Sequence, residues 1–142
     1  MPDSTFASIG LSADLVRVLT AQGIESPFQI QTRTITAALA GHDVLAKAPT
    51  GSGKTLAFAI PIIERIQPGD GRPSALILVP TRELAVQVTE VLADLGKVRG
   101  IEVASVYGGV PIPAQAAKAK KAHVLVATPG RLQDLMDRRM VN

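Results

Sequence analysis

With 142 residues, 46% of them hydrophobic and 19% charged, the chain is long enough for one domain with its own core and too apolar to be disordered. Zero cysteines exclude disulfides and thiolate metal sites, and the longest unbroken apolar run, residues 56–63, is too short to cross a bilayer, so we expect a cytoplasmic chain with no membrane partner. The net charge of +3 conceals a bias: residues 103–142 carry six Lys or Arg against two Asp, a surplus of four that admits polyanions as partners and equally suits an ordinary solvated surface.

Helical and strand-like segments alternate along the chain, which predicts an α/β domain with a mostly parallel sheet flanked by helices. A first helix starts at Ser12 as its N-cap, sets Leu15, Val18 and Leu19 on one face and stops at Gly23; a second covers residues 31–41 and closes at Gly41. Residues 43–49, "DVLAKAP", read as a short strand, and Lys54 to about Ile66 as a helix that kinks or ends early at Pro61. Residues 67–73 are a turn-rich surface connection. Residues 74–80, "SALILVP", form a nearly continuous apolar run, as a strand buried on both faces should. Thr81 then caps a helix in which Leu84, Val88, Val91 and Leu95 recur at helical spacing before Gly96. Residues 103–109 and 123–129 are two further strands, each followed by a helix-like segment.

The stretch "APTGSGKT", Ala48 to Thr55, lies between the first of these strands and a helix start. Such a loop can surround phosphates with backbone N–H groups, and the helix dipole adds partial positive charge there. Ala48, Pro49, Thr50, Gly51, Ser52 and Gly53 form the loop, with Gly51 and Gly53 supplying the unusual backbone angles. Lys54 would reach the outer phosphates, and the Thr55 hydroxyl would sit on magnesium. Hydrolysis also calls for an acidic group, usually at the end of another apolar strand. The strands here run into Pro80, Gly108 and Pro129, and none ends in Asp or Glu.

Around this loop the sequence resembles the N-terminal part of the DEAD-box ATP-dependent RNA helicases, from near its start to its last residue. "APTGSGKT" is similar to the family's motif I, where Ala at the first position is usual. "PTRELA" (80–85) is similar to motif Ia, "GG" (108–109) to the glycine doublet and "TPGR" (128–131) to motif Ib, in the family's order and spacing. "GIESPFQIQ" (23–31) resembles the Q motif, although Ile24 stands where an aromatic is usual and Gln29 where a second proline is usual. The resemblance implies a RecA-like P-loop fold, with ATP and Mg2+ as cofactors and RNA as partner. It implies that Gln31 reads the adenine edge and that Phe6 is the isolated aromatic packed near the base, making residues 6–31 the Q-motif region and 42–142 the core. It further implies that Arg82, Gly108, Gly109, Thr128, Pro129, Gly130 and Arg131 line an RNA backbone track.

Read without the family, Gln31 is also a helix-start polar residue, and Thr128–Pro129 an ordinary N-cap and first helical residue whose free N–H groups can hold a phosphate beside Arg131. Arg82 can pair a phosphate or the neighbouring Glu83, while Lys118, Lys120 and Lys121 read as solvated helix surface. The resemblance also implies that the Asp-Glu-Ala-Asp motif, with its Walker B strand, and the whole second RecA-like domain lie beyond Asn142. On that basis residues 1–142 are an incomplete first domain, expected to bind but not hydrolyse ATP and to be poorly stable or to pair its strand edges abnormally. The competing expectations are a non-catalytic nucleotide- or RNA-binding module and an unrelated phosphate-loop enzyme such as a small-molecule kinase.

Overall fold

The computed structural model describes residues 5–47 and 53–141, which fall into two compact units, Met1–Arg65 and Ile66–Asn142. In the first, a short 3-10 turn at Ala7–Ile9 leads into helices α1 (Ala13–Ala21), α2 (Gln29–Leu39) and α3 (Lys54–Arg65). Leu15 and Leu19 on α1 are fully buried, Ile35 on α2 and Ile60 and Ile63 on α3 likewise, and α2 packs along α3. Spacings of three and four residues put these side chains on one face of each helix, so burial and helix formation support each other. Ser12 holds the N-cap position of α1 without capping it through its side chain. Its N–H and its hydroxyl both donate to Glu64 Oε1, at 2.6 and 2.8 Å, which ties the start of α1 to the end of α3.

Two expectations in this unit are corrected. Residues 43–47 form no strand: Leu45 is wholly exposed and Val44 42% exposed, and no described residue offers them a ladder. A strand depends on a neighbour for its hydrogen bonds, and local β-propensity cannot replace one. The helix expected from Lys54 to about Ile66 is present as α3, and of the kink or early end expected at Pro61 the early end does not occur, since α3 continues to Arg65 with Ala57, Ala59, Ile60, Pro61 and Ile63 all buried. The apolar burial offsets the backbone bond that proline forfeits.

The second unit is a three-stranded parallel sheet, β1 (Ala75–Leu78), β2 (Val103–Val106) and β3 (Val124–Ala127), in the order β1-β3-β2. Ala75 pairs with Val124 and Leu78 with Ala127; on the other side Val103 pairs with Val124 and Val106 with Ala127. Helices α4 (Arg82–Lys97), α5 (Ile112–Lys121) and α6 (Pro129–Asp137) complete the unit. Burial on both faces belongs to the central β3, all of whose residues are buried, and not to β1, where Leu76 and Leu78 are exposed. The run "SALILVP" is nearly continuously apolar, but among the described strands β1 is a sheet edge in which only alternate residues turn inward.

Thr81 caps α4, its Oγ1 accepting from Leu84 N at 3.2 Å. The buried stripe of that helix is Ala85, Val88, Leu92 and Leu95, so two of the expected positions, Leu84 and Val91, are displaced by their neighbours Ala85 and Leu92. Gly96 is buried within the last turn and does not close the helix. A second core lies between α5, α6 and the sheet, where Ala104, Ala116, Ala119, Ala122 and Ala127 surround Val106, Leu125 and Leu135. Alanine is small enough to let α5 lie close on the strands, which suits a chain with almost no aromatics.

Candidate nucleotide and nucleic-acid sites

In the first unit the described part of the phosphate loop is its end, because Ala48, Pro49, Thr50, Gly51 and Ser52 lie outside the described residues. Gly53 precedes α3 with φ +81°, a left-handed conformation that glycine adopts without penalty. A side chain there would also collide with the Gln31 carboxamide and stand 2.7 Å from Phe28 Cδ2. The Gly53 carbonyl accepts two bonds, from Ala57 N at 3.3 Å and from Gln31 Nε2 at 3.1 Å. Gln31 is buried at 2% exposure, and its Oε1 accepts from Phe28 N at 2.9 Å. One carboxamide therefore joins the start of α2 to the start of α3. Lys54 is exposed and Thr55 half-buried in the first turn of α3.

The two aromatic side chains of this region are placed differently from each other. Phe6 is 2% exposed and belongs to the core, whereas Phe28, which sequence reasoning passed over, is 56% exposed beside Gln31. Its signal was available in principle: a large apolar ring at a helix N-cap has no capping role.

In the second unit the remaining candidates gather where the three parallel strands end, each contributing the segment that follows it. From β1 comes Arg82, whose guanidinium carbon lies 5.4 Å from the centroid of Tyr107 and not in a pair with Glu83. From β2 come Gly108 and Gly109, both exposed. Gly109 has φ +85°, and a Cβ on it would stand 3.0 Å from an Arg82 guanidinium nitrogen, whereas one on Gly108 would meet open space. From β3 come Thr128, Pro129, Gly130 and Arg131. Thr128 occupies the N-cap of α6 without a side-chain bond, Pro129 is the first helical residue, and Gly130 faces open space.

Arg131 is not free. Its Nη1 donates to Val110 O at 2.8 Å and to Gln115 Oε1 at 2.7 Å, and its Nε lies 3.9 Å from Asp134 Oδ2, with 10% of the side chain exposed. Gln115 Oε1 accepts in addition from Tyr107 N at 3.2 Å. Lys118, Lys120 and Lys121 are exposed along α5 as expected, although the Lys121 carbonyl accepts from Arg72 Nη1 at 2.9 Å.

Sequence reasoning also passed over His123, fully buried at the entry to β3. Its Nδ1 accepts from Glu102 N and its Nε2 faces Pro68 O, both at 2.9 Å, which fixes the tautomer with the proton on Nε2. Its carbonyl accepts from Ser74 N and Ala75 N. Among the described residues no group of three His, Asp or Glu could hold a metal ion.

A family model described as DEAD/DEAH box helicase matches residues 28–142. The chain belongs to that family. Over 137 residues this DEAD/DEAH box chain is 47% identical to the RNA helicase CrhR of Synechocystis sp., which takes in 96% of the chain and 28% of the relative. It is 43% identical over 136 residues to the DEAD-box ATP-dependent RNA helicase CshA of Bacillus licheniformis, covering 95% and 28%. The crystal structure of a DEAD box protein from the hyperthermophile Methanococcus jannaschii superposes with a TM-score of 0.93 at 38% identity, over 99% of this chain and 39% of that one. A hypothetical ATP-dependent RNA helicase from Sulfolobus tokodaii gives 0.85 at 37% identity, over 92% and 38%. The chain thus spans under a third of the two curated relatives' length, and its fold is the α/β, RecA-like arrangement of DEAD-box domains.

Proposed function

We propose that this chain supplies the ATP-binding part and a portion of the RNA backbone track of a cytoplasmic ATP-dependent RNA helicase. The intact protein would be an RNA-stimulated ATPase that opens RNA duplexes locally. The observation that carries the reading is the junction at Gly53, where the Q-motif glutamine is hydrogen-bonded to the last glycine of the phosphate loop. Lys54 and the loop residues Ala48 to Gly53 would hold the phosphates, with magnesium on Thr55. Gln31 keeps one amide proton and one lone pair beyond its two bonds, enough to read an adenine edge once the base is present. Phe6 would support the base side from within the core, and Phe28 offers the exposed ring beside Gln31. Arg82, Gly108, Gly109, Thr128, Pro129, Gly130 and Arg131 would build the backbone track, whether by touching the RNA or by shaping the surface it lies on, with little sequence preference because phosphates and sugars carry none.

Calorimetric titration with Mg-ATP and Mg-GTP tests the nucleotide reading. We expect ATP to be preferred, the preference to vanish in Gln31→Ala, and both nucleotides to bind at least about tenfold more weakly in Lys54→Ala. Equal affinity for ATP and GTP in the unaltered protein would remove the adenine assignment. The non-catalytic module is favoured by one feature, the Pro80, Gly108 and Pro129 that follow the strands where an acid would serve hydrolysis. Tight ATP binding without RNA-stimulated phosphate release by the intact protein would decide for it.

A further inference from the structure

We infer that Gln115 is a positioning residue for RNA binding, and that Arg131 acts with it as a clamp between the glycine doublet and the start of α6. The inference rests on the RNA-track reading above. Gln115 stands in the first turn and a half of α5, among residues whose inward neighbours are alanines, yet it is 6% exposed and polar. A buried carboxamide is costly unless it is bonded, and here a single atom makes both bonds. Gln115 Oε1 accepts from Tyr107 N, immediately before the glycine doublet, and from Arg131 Nη1 in the first turn of α6. Arg131 closes the ring by donating to Val110 O, immediately after the doublet. The loop 107–110 is thus held at both ends by one arginine–glutamine pair, and the α6 N-terminus is held to that loop.

This arrangement changes what Arg131 does. With 10% of its side chain exposed and one nitrogen shared between two acceptors, it sets the distance between the doublet and the α6 N-terminus and makes no phosphate contact of its own. Phosphate contact falls to groups left open at the surface: the backbone at Gly108 and Gly109, the free N–H groups at the start of α6, and Arg82.

The two roles separate by salt dependence. A side chain that neutralises a phosphate contributes about 0.7 to the slope of log affinity against log salt on a single strand, whereas a positioning residue contributes none. We expect Gln115→Ala and Arg131→Gln each to weaken binding of a single-stranded RNA by the intact protein about tenfold with unchanged slope. The double variant should be no weaker than either single one. Gln115→Glu keeps an oxygen for both donors and should restore affinity, which a merely disruptive substitution would not allow. Without RNA, amide resonances of Gly108, Gly109 and Gly130 should all shift in Gln115→Ala and return in Gln115→Glu.

A slope reduced in Arg131→Gln with additive losses would overturn the clamp and make Arg131 a direct phosphate ligand. Unshifted Gly130 in Gln115→Ala would overturn it as well. Failure of the unaltered protein to bind RNA would overturn the track reading itself, and this inference with it.

Discussion

Gly53 is held by three separate constraints, and each points to the same substitution. Its φ of +81° penalises any L side chain by about 1–2 kcal/mol, and the Cβ position is already taken by Gln31 and Phe28. Gly53→Ala should therefore abolish ATP binding out of proportion to its effect on folding, seen as lost calorimetric heat with a melting temperature lowered by a few degrees. His123 presents the opposite case, a residue whose consequence is stability alone. Replacing it with Leu takes the side-chain partner from the Glu102 N–H and the Pro68 carbonyl, both at part-buried positions, a cost of about 1–3 kcal/mol. A lowered denaturation midpoint with unchanged slope would register that loss.

At the scale of the elements, α3 carries a proline in its interior. A helix-interior proline costs about 3 kcal/mol, while truncating its ring to a methyl group loses about 1.6 kcal/mol of buried apolar surface. Pro61→Ala should thus raise stability by about 1 kcal/mol, measurable as a higher midpoint in urea. Those figures also show which elements were legible from the sequence. Helices announced themselves through local periodicity and caps: Ser12, Thr81 and Thr128 all stand at helix starts as read. Residues 43–47 carry a strand-like pattern yet form no strand, because a strand is defined by its partner, which local pattern does not contain. In α4 the choice between Leu84 and Ala85 was decided by tertiary packing, which favours a small residue against the sheet over a larger one one step away. The candidate site was legible where chemistry is written as a motif, at Gly53–Lys54–Thr55 and at the strand ends. It was illegible where one polar atom serves two distant donors, as at Gln115, because that pairing depends on the fold.

At the scale of the whole molecule, among the described residues the outer edge of β1 has no partner strand, and Leu76 and Leu78 are half exposed beside it. An apolar pocket of about 250 Å³ lined by Leu76, Leu125, Leu132 and Met136 adjoins this edge. An unpaired parallel edge with adjacent exposed leucines is a template for association. We expect residues 1–142 alone to self-associate at micromolar concentration in sedimentation velocity, and Leu76→Lys to shift the distribution toward monomer. A monomeric chain with a cooperative thermal transition would refute the expectation.

The carboxamide shared between α2 and the Gly53 carbonyl has a practical consequence. Its two amide protons, distinct in any carboxamide because the C–N bond rotates slowly, also differ in environment, one being bonded to Gly53 O and the other having no partner among the described residues, so each can be followed by its own resonance in a nitrogen-edited spectrum. Nucleotide arriving at the phosphate loop would perturb the bonded proton, and a base arriving at the α2 end would perturb its partner. Gln31 would then serve as an intrinsic two-channel observer, reporting without any label which end of a ligand has docked first.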